Sequence, residues 1–560
     1  MKRIAAGLWV CLLTGIACDS AKPNPDAGSY SAPLVAAPMP ARLVAEFALR
    51  NPKETWAAFR SGIGGTVSLL ADSPAQVLAN LAAIEPQLSA ELLQDAPIAG
   101  VISVTEGHDP VVVVALPFAN PAKVLADAGV STGGDLVFLP PKAGGTCAAI
   151  AKRGYLLIGM GAGSGDEELK RLSPYLLTKV AASARVPANP SGPMSKRRTE
   201  GGLWVTGREA LTVEAKRNIE LSISNATLTL EAANKRQREA KGGRAPDFGD
   251  AEPLIAKLVE SKDALVKIVD QITQVNAFVG VRDGELVADV ELEPRAGGEF
   301  DAILKSSKTC AADAIGEEPQ QSVAAYFVCE SESDRKKSAE AQVGLIANVL
   351  GNRGAEEKKL LEVFAKAWPD ARGDELTVSL SLAGDDGAPS FRVLSPLGHA
   401  EAADAARGAL RTLLGRPLVA DALHAKLSGE KKVEAGTYAL SLKRKTSPKE
   451  VAIVWSTDRN QLLIAGAQHI DAAKVAALRV AKTKLIGAST LSRELKVLGK
   501  DALAALVLQP LLLTVTKQQL APQIAMVSFS RDVASGHAVV RLVMQAALAR
   551  ELIKLRMPVE

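Results

Sequence analysis

Apolar positions along the chain fall into two rhythms, and one unit keeps returning: a short apolar strand, a polar or Pro/Gly break, then a helix with one apolar stripe. It first occurs at Leu43-Val44-Ala45-Glu46-Phe47-Ala48, followed by Pro52–Phe59. It returns at Val111–Phe118 followed by Pro121–Ala128, where Asn120 can cap the helix and Pro121 suits a first turn whose amides have no intrahelical partner. Gly154–Met160 before Glu167–Leu176, and Leu286–Leu292 before Phe300–Lys305, complete a first series. A second series repeats the order: Val323–Val328 before Lys336–Leu350, Ser390–Leu394 before Glu401–Leu414, Gln461–Gly466 before Ala472–Arg479, and His537–Val543 before Ala546–Leu555. Tyr155-Leu156-Leu157-Ile158 even matches Gln461-Leu462-Leu463-Ile464 nearly side chain for side chain. Unequal spacings between matching strands imply insertions, so the expectation is a tandem duplication with drift.

Short links between strands set the sheet type. Ile98–Val104 and Val111–Leu116 flank a turn-rich connector at 106–110, and Cys147–Ala151 and Tyr155–Met160 flank Lys152-Arg153-Gly154. Ala277–Val281 and Glu285–Val290 flank Arg282-Asp283-Gly284, and Val451–Trp455 and Leu462–Ala465 flank Asp458-Arg459-Asn460. Hairpins force antiparallel pairing. The expected class is therefore α+β: two tandem related halves, 41–315 and 316–560, each an antiparallel sheet with helices packed on one face. A helical hairpin is expected as an insertion near 207–273. Leu211, Ala215, Ile219, Ile223, Ala226 and Leu230 have helical spacing there, although Ile219, Leu221 and Ile223 also alternate as a strand would. Ala251–Thr273 reads as an amphipathic helix, and Arg185–Gly202 as a mobile loop.

The first forty residues carry a different pattern. Met1-Lys2-Arg3 precedes an apolar run, Ile4–Ala17, that is shorter than the roughly 20 residues a spanning helix needs. It ends abruptly at Cys18. The stretch from Asp19 through Pro40 is rich in Pro and small polar residues and cannot bury enough apolar surface to order itself. Leu13-Thr14-Gly15-Ile16-Ala17-Cys18 resembles the lipobox of bacterial lipoproteins. The resemblance implies a signal peptide at 1–17, cleavage before Cys18, diacylation of that thiol, and a flexible tether over 18–40. It further implies a body held at the cell envelope, in the periplasm or at the surface, through a lipid anchor in either membrane. The body resembles the duplicated lipoproteins of bacterial envelopes, a likeness too general to carry over any binding residue.

Composition narrows the partners. The 560 residues carry 66 basic and 62 acidic side chains, a net charge of +4. The brief basic clusters Lys196-Arg197-Arg198 and Lys235-Arg236-Gln237-Arg238 gather no basic face, and aromatics are only 4%. Both observations argue against nucleic acid. Of five cysteines, Cys310 and Cys329 are the pair at short separation that an oxidising envelope would allow to bridge, leaving Cys147 over.

Candidate chemistry is thin. Gly159-Met160-Gly161-Ala162-Gly163-Ser164-Gly165 sits between a strand and a helix like a nucleotide loop, but Asp166-Glu167-Glu168 would repel phosphate from that helix start. His108, His399, His424, His469 and His537 are scattered without metal-ligand spacing. No nucleophile elbow or phosphate-binding loop occurs, so no cofactor, metal or catalytic residue is expected. Three readings remain. The favoured one is a non-enzymatic binding or scaffold protein taking an envelope protein, glycan or lipid in a groove between its halves. The second is a lipid or lipoprotein carrier with an apolar cavity. The third is a hydrolase with a loop-built site.

Overall fold

Runs of β-branched and aliphatic residues form the strands, and two-residue turns set their register. The computed structural model describes residues 37–64, 72–81, 91–104, 111–127, 137–142, 145–152, 154–160, 165–183, 202–240, 252–282, 284–350, 354–381, 390–422, 425–444, 450–468, 475, 478, 484–487, 489–509 and 523–550. Contacts divide them into two units. The first draws on Met1–Lys216, Val269–Gly298 and Asp532–Glu560, the second on Arg217–Ile268 and Glu299–Arg531.

In the first unit the strands are β1 (Leu43–Arg50), β2 (Ile98–Ser103), β3 (Val111–Pro117), β4 (Val137–Lys142), β5 (Gly145–Lys152), β6 (Tyr155–Met160), β7 (Gly202–Gly207), β8 (Ile272–Arg282) and β9 (Glu285–Pro294). They pair antiparallel in the order β4-β5-β6-β3-β2-β1-β7-β8-β9. The C-terminal strand Ala538–Gln545 extends this sheet along β9, although in sequence it closes the second half. Helices α1 (Pro52–Ile63), α2 (Pro74–Leu81), α3 (Pro121–Asp127) and α4 (Gly165–Ser183) belong here. Asn120 Oδ1 accepts from the Lys123 amide at 3.0 Å and caps α3. Two long helices come next in the chain, α5 (Glu209–Ala240) and α6 (Glu252–Val269). The stretch whose spacing fits both helix and strand is thus helix.

The second unit contains α7 (Glu299–Ser306), α8 (Asp313–Gly316), β10 (Ser322–Cys329), α9 (Glu332–Leu350), α10 (Ala355–Ala371), β11 (Glu375–Ser381), β12 (Ser390–Pro396), α11 (Ala400–Leu414), α12 (Pro417–Ala422), β13 (Ala425–Glu434), β14 (Thr437–Arg444), β15 (Glu450–Ser456), β16 (Gln461–Gln468), α13 (Ser489–Leu498), β17 (Ala502–Leu508) and β18 (Ala525–Arg531). Its antiparallel order is β13-β14-β15-β16-β12-β11-β10-β17-β18. Arg459 and Asn460 both take left-handed φ of 57°, the geometry of a two-residue hairpin turn between β15 and β16.

A mixed fold of helices on antiparallel sheet is present. The expectation of helices on one face only is corrected. In the first unit Phe47, Val114, Leu156 and Ile158 pack with Ala75 of α2 and Val124 and Leu125 of α3. The alternating residues Val113, Ala115 and Leu157 pack with Leu169, Leu172 and Leu176 of α4. Strands such as Val111–Leu116 read as unbroken apolar runs because both of their faces are covered. The second unit is likewise served on both sides, by α8 and α13 against Ala325 and Phe327 and by α10 and α11 against Trp455 and Ile464. The glycine run at 161–164, the loop at 185–201 and most of the helix expected at 472–479 lie outside the described residues.

In the first unit, one carboxylate that enters the core is paired. Glu46 accepts from the Tyr175 hydroxyl and from Arg208 Nε, both at 2.6 Å. Burial and this neighbouring carboxylate push the Tyr175 hydroxyl well above the usual phenol range. Aromatic stacking on glycine is equally tight: a methyl at Gly100 would overlap the Phe47 ring on the adjacent strand. Gly100→Ala is therefore expected to cost about 1–3 kcal/mol through displacement of a buried ring. Denaturant unfolding of the full chain checks this, and an unchanged midpoint would contradict it.

Candidate functional site

Strand β11 reads Glu375-Leu376-Thr377-Val378-Ser379-Leu380-Ser381, a strict apolar/polar alternation. Hydrophobic burial alone would turn its leucines and valine inward. The strand does the reverse: Thr377, Ser379 and Ser381 are buried, while Leu380 is exposed. The cause lies under the sheet. Glu318 there is wholly buried, and Arg392 of β12 is nearly so. Arg392 Nε lies 3.8 Å from Glu318 Oε1, and the Ser379 hydroxyl donates to Oε2 at 2.5 Å. Ser322 and Ser381 share a hydroxyl hydrogen bond of 3.1 Å. Gln509 Nε2 donates to the carbonyls of Gln320 and Ser322 at 2.8 and 2.7 Å. A buried charge pair needs polar neighbours, and leucines against it would leave charge in an apolar setting. Hydroxyls fit beneath, so the aliphatic side faces out.

The neighbouring strands carry that outward face into a continuous surface. One row runs Val527, Leu506, Tyr326, Val378, Val393 across β18-β17-β10-β11-β12. The next holds Leu508, Ala324, Leu380 and Phe391, and a third holds Phe529, Ala504, Val328 and Leu376. Tyr326, Leu380, Phe391, Leu508 and Val527 keep 37–46% of their surface open. The Phe391 ring lies over Gly466 of β16, where a side chain would collide with it. Helices α10 and α11 cover the β15–β16 end of this face, with Val393 packed at their border. Five strands and three rows give a patch of roughly 19 by 13 Å from ordinary strand spacings. Burial, with the Glu330 charge nearby, raises the Tyr326 hydroxyl above its usual range.

The candidates read from sequence are placed differently. Cys18, His108, His424, His469 and the 161–164 glycines lie outside the described residues. Glu168 at the start of α4 binds Arg171 at 2.6 Å. His399 precedes α11 on the surface of the second unit, and its side chain makes no cap hydrogen bond. His537, in the first unit, lies 2.7 Å from Glu291 through Nδ1. No group of His, Cys, Asp or Glu among the described residues could hold a metal ion. Cys310 and Cys329 form a disulfide with Cα atoms 5.7 Å apart, within the core under β10. The open face was missed. Its signal was the alternation in β11 together with Arg392 inside the run Phe391-Arg392-Val393-Leu394, a charge on the inward side of a strand.

No family model matches the chain, and no curated protein matches it. Among solved structures, crystal form IV of TP0453 aligns at 9% identity over 45% of this chain and 98% of that one, with a TM-score of 0.20. So low a score carries no argument about fold or role.

Burial pushes the Glu318 carboxyl above the ordinary glutamate value; the Arg392 charge and the Ser379 hydrogen bond pull it back only part of the way. The native state then holds this proton more tightly than the unfolded chain. Stability is full below the ordinary glutamate value and falls as pH rises through the raised one. Glu318→Gln removes that fall. Denaturant midpoints measured across the acidic-to-neutral range should show the wild type losing stability relative to this variant as pH rises. Parallel curves would refute the assignment.

Proposed function

We propose that the chain is a lipid-anchored, non-enzymatic envelope protein that docks an apolar protein surface on the open face of its second sheet. The observation that carries the reading is the contiguous apolar surface of Tyr326, Leu380, Phe391, Leu508 and Val527, turned outward by the charge pair beneath it. Its form favours a protein over the other ligands. Glycan sites need hydrogen-bonding groups, and this patch is aliphatic and aromatic. Small apolar ligands sit in concavities that wrap most of their surface, whereas an open sheet face leaves one side of a lipid chain wet. Protein interfaces tolerate flatness and concentrate aromatic and aliphatic groups at their centre.

The same reading holds the two sheets to be a tandem duplication. Phe47-Gly100-Val114-Ile158 pair in a row across β1-β2-β3-β6 of the first unit. Tyr326-Val378-Val393-Ile464 pair in a row across β10-β11-β12-β16 of the second. Phe47 and Tyr326 stand on the first strand of each unit, at the head of these rows. At this shared position Phe47 is 7% exposed and Tyr326 is 41%. One copy of the face is covered, and the other is open.

Cleavage before Cys18, diacylation of its thiol and a tether over 18–40 put this face at a membrane of the cell envelope. Support comes from the lipobox resemblance, from the disulfide, which suits an oxidising compartment, and from the described residues containing no helix long and apolar enough to cross a membrane. Cys18→Ser should leave the precursor uncleaved and without lipid at position 18. A variant still processed and membrane-bound would end the anchoring claim. For the docking claim, a benzophenone amino acid placed at Leu380 and irradiated in cells should give a discrete protein adduct, while the same group at exposed Lys426 of β13 should not. Equal adducts at both positions, or none, would reject it.

A further inference from the structure

One short segment supplies the polar groups that meet β11 from beneath. The chain leaves Cys310, whose amide donates to the Ala502 carbonyl at 3.0 Å, passes through α8 and returns along β10 to Cys329. Glu318 of this segment accepts the Ser379 hydroxyl, and Ser322 shares a hydrogen bond with Ser381. Gln509 Nε2 binds the segment's own carbonyls at Gln320 and Ser322. The Cys310–Cys329 disulfide joins residues 19 apart and makes the whole segment a closed loop. Near Glu318 the loop is otherwise held by its neighbours at 484 and 485. The Leu485 amide donates to the Glu318 carbonyl at 2.8 Å, Lys484 pairs with Glu317, and Ile315 is packed in the core. Against that hold stands the cost of bringing the Glu318 carboxyl from water to a wholly buried place.

Resting on the docking role proposed above, we infer that the Cys310–Cys329 disulfide gates that role: it positions Glu318 beneath the sheet, so the open face is completed only after the two thiols are oxidised. Closing the loop removes arrangements of residues 310–329 in which Glu318 stays in water, and so favours the inserted one. With Glu318 out, Arg392 would lose the carboxylate that offsets its buried charge. The hydroxyl side of β11 would lose what fixes it inward. The oxidation is thiol–disulfide exchange with a disulfide-bearing carrier of the envelope. One cysteine thiolate attacks the carrier's disulfide, and the other attacks the mixed disulfide that results. The carrier leaves as a dithiol, holding the two electrons and two protons that the cysteines gave up. Cys310 and Cys329 are 8% and 6% exposed, so the finished bond is shielded from reductant and the face is set once. A bond that served only as a general staple could lie anywhere in the unit, whereas this one encloses the residue on which the surface depends.

Maleimide labelling of Ser379→Cys in the purified full chain tests this without any docking partner. It is measured with the disulfide intact and in two backgrounds without it, Cys310→Ser with Cys329→Ser and Cys310→Ala with Cys329→Ala. Peptide masses assign the label, since other thiols are present. With the bond intact, position 379 should be protected. Without it, labelling should rise roughly tenfold or more while the chain keeps a cooperative denaturant transition. Glu318→Gln should then no longer alter the pH dependence of that transition. Protection of position 379 in either folded background would overturn the gate and leave docking intact. Loss of the cooperative transition in both backgrounds would overturn it too, since the bond would then support the whole unit rather than this segment. Absence of the Leu380 photoadduct with the bond intact would instead reject docking, and the gate with it.

Discussion

The buried pairing of Glu318 with Arg392 is the constraint on which the second unit's surface depends. A carboxylate and a guanidinium set beneath a sheet must be surrounded by groups that hydrogen-bond, since the cost of stranding either is several kcal/mol. Ser379 meets Glu318 directly, and Thr377 and Ser381 lie on the same inward side. With a strict period of two, choosing hydroxyls for the inside leaves Leu376, Val378 and Leu380 no alternative to the outside. The exposed apolar face therefore results from a polar demand underneath, and it is held at the register of whole strands. No single leucine could turn inward without slipping β11 against both neighbours.

Paired with this is a difference between comparable rows of the two sheets. Phe47 rests on Gly100 in a closed core, and Tyr326 stands open at the corresponding place in its own row. Phe391 lies on Gly466 in the same stacked manner, yet its outer ring face remains in water. In both contacts the missing side chain of the glycine lets the ring lie against the neighbouring strand. An apolar surface held by backbone pairing needs little ordering when a partner arrives, which favours affinity at small contact area.

Much of the fold was legible in the sequence. The strand–helix units within the described residues, the β8–β9 link ending at Gly284, the turn at Asp458-Arg459-Asn460, the Asn120 cap and the proximity of Cys310 to Cys329 all rest on local rules of turn chemistry, capping and short separation. Three features were not legible. Helices on both faces of each sheet could have been suspected from Val111-Val112-Val113-Val114, a run with no polar side, but period alone does not say what covers a strand. The open face was hidden for a stronger reason. Sequence reading assigns the apolar side of an alternating strand to the core, and only the placement of Glu318, far from β11 in sequence, reverses that choice. The C-terminal strand joined the first unit's sheet for a similar reason, since its partner β9 is distant in the chain.

The most direct measurement is cysteine accessibility on β11. Leu380→Cys and Ser379→Cys, each treated with a membrane-impermeant maleimide, report the two sides of one strand. In purified protein diluted to low concentration, Leu380→Cys should label readily and Ser379→Cys should not; in native membranes Leu380→Cys should be protected as well. Labelling of Ser379→Cys in the folded protein would contradict the inverted strand, and equal labelling of Leu380→Cys in both preparations would contradict its use as a docking surface.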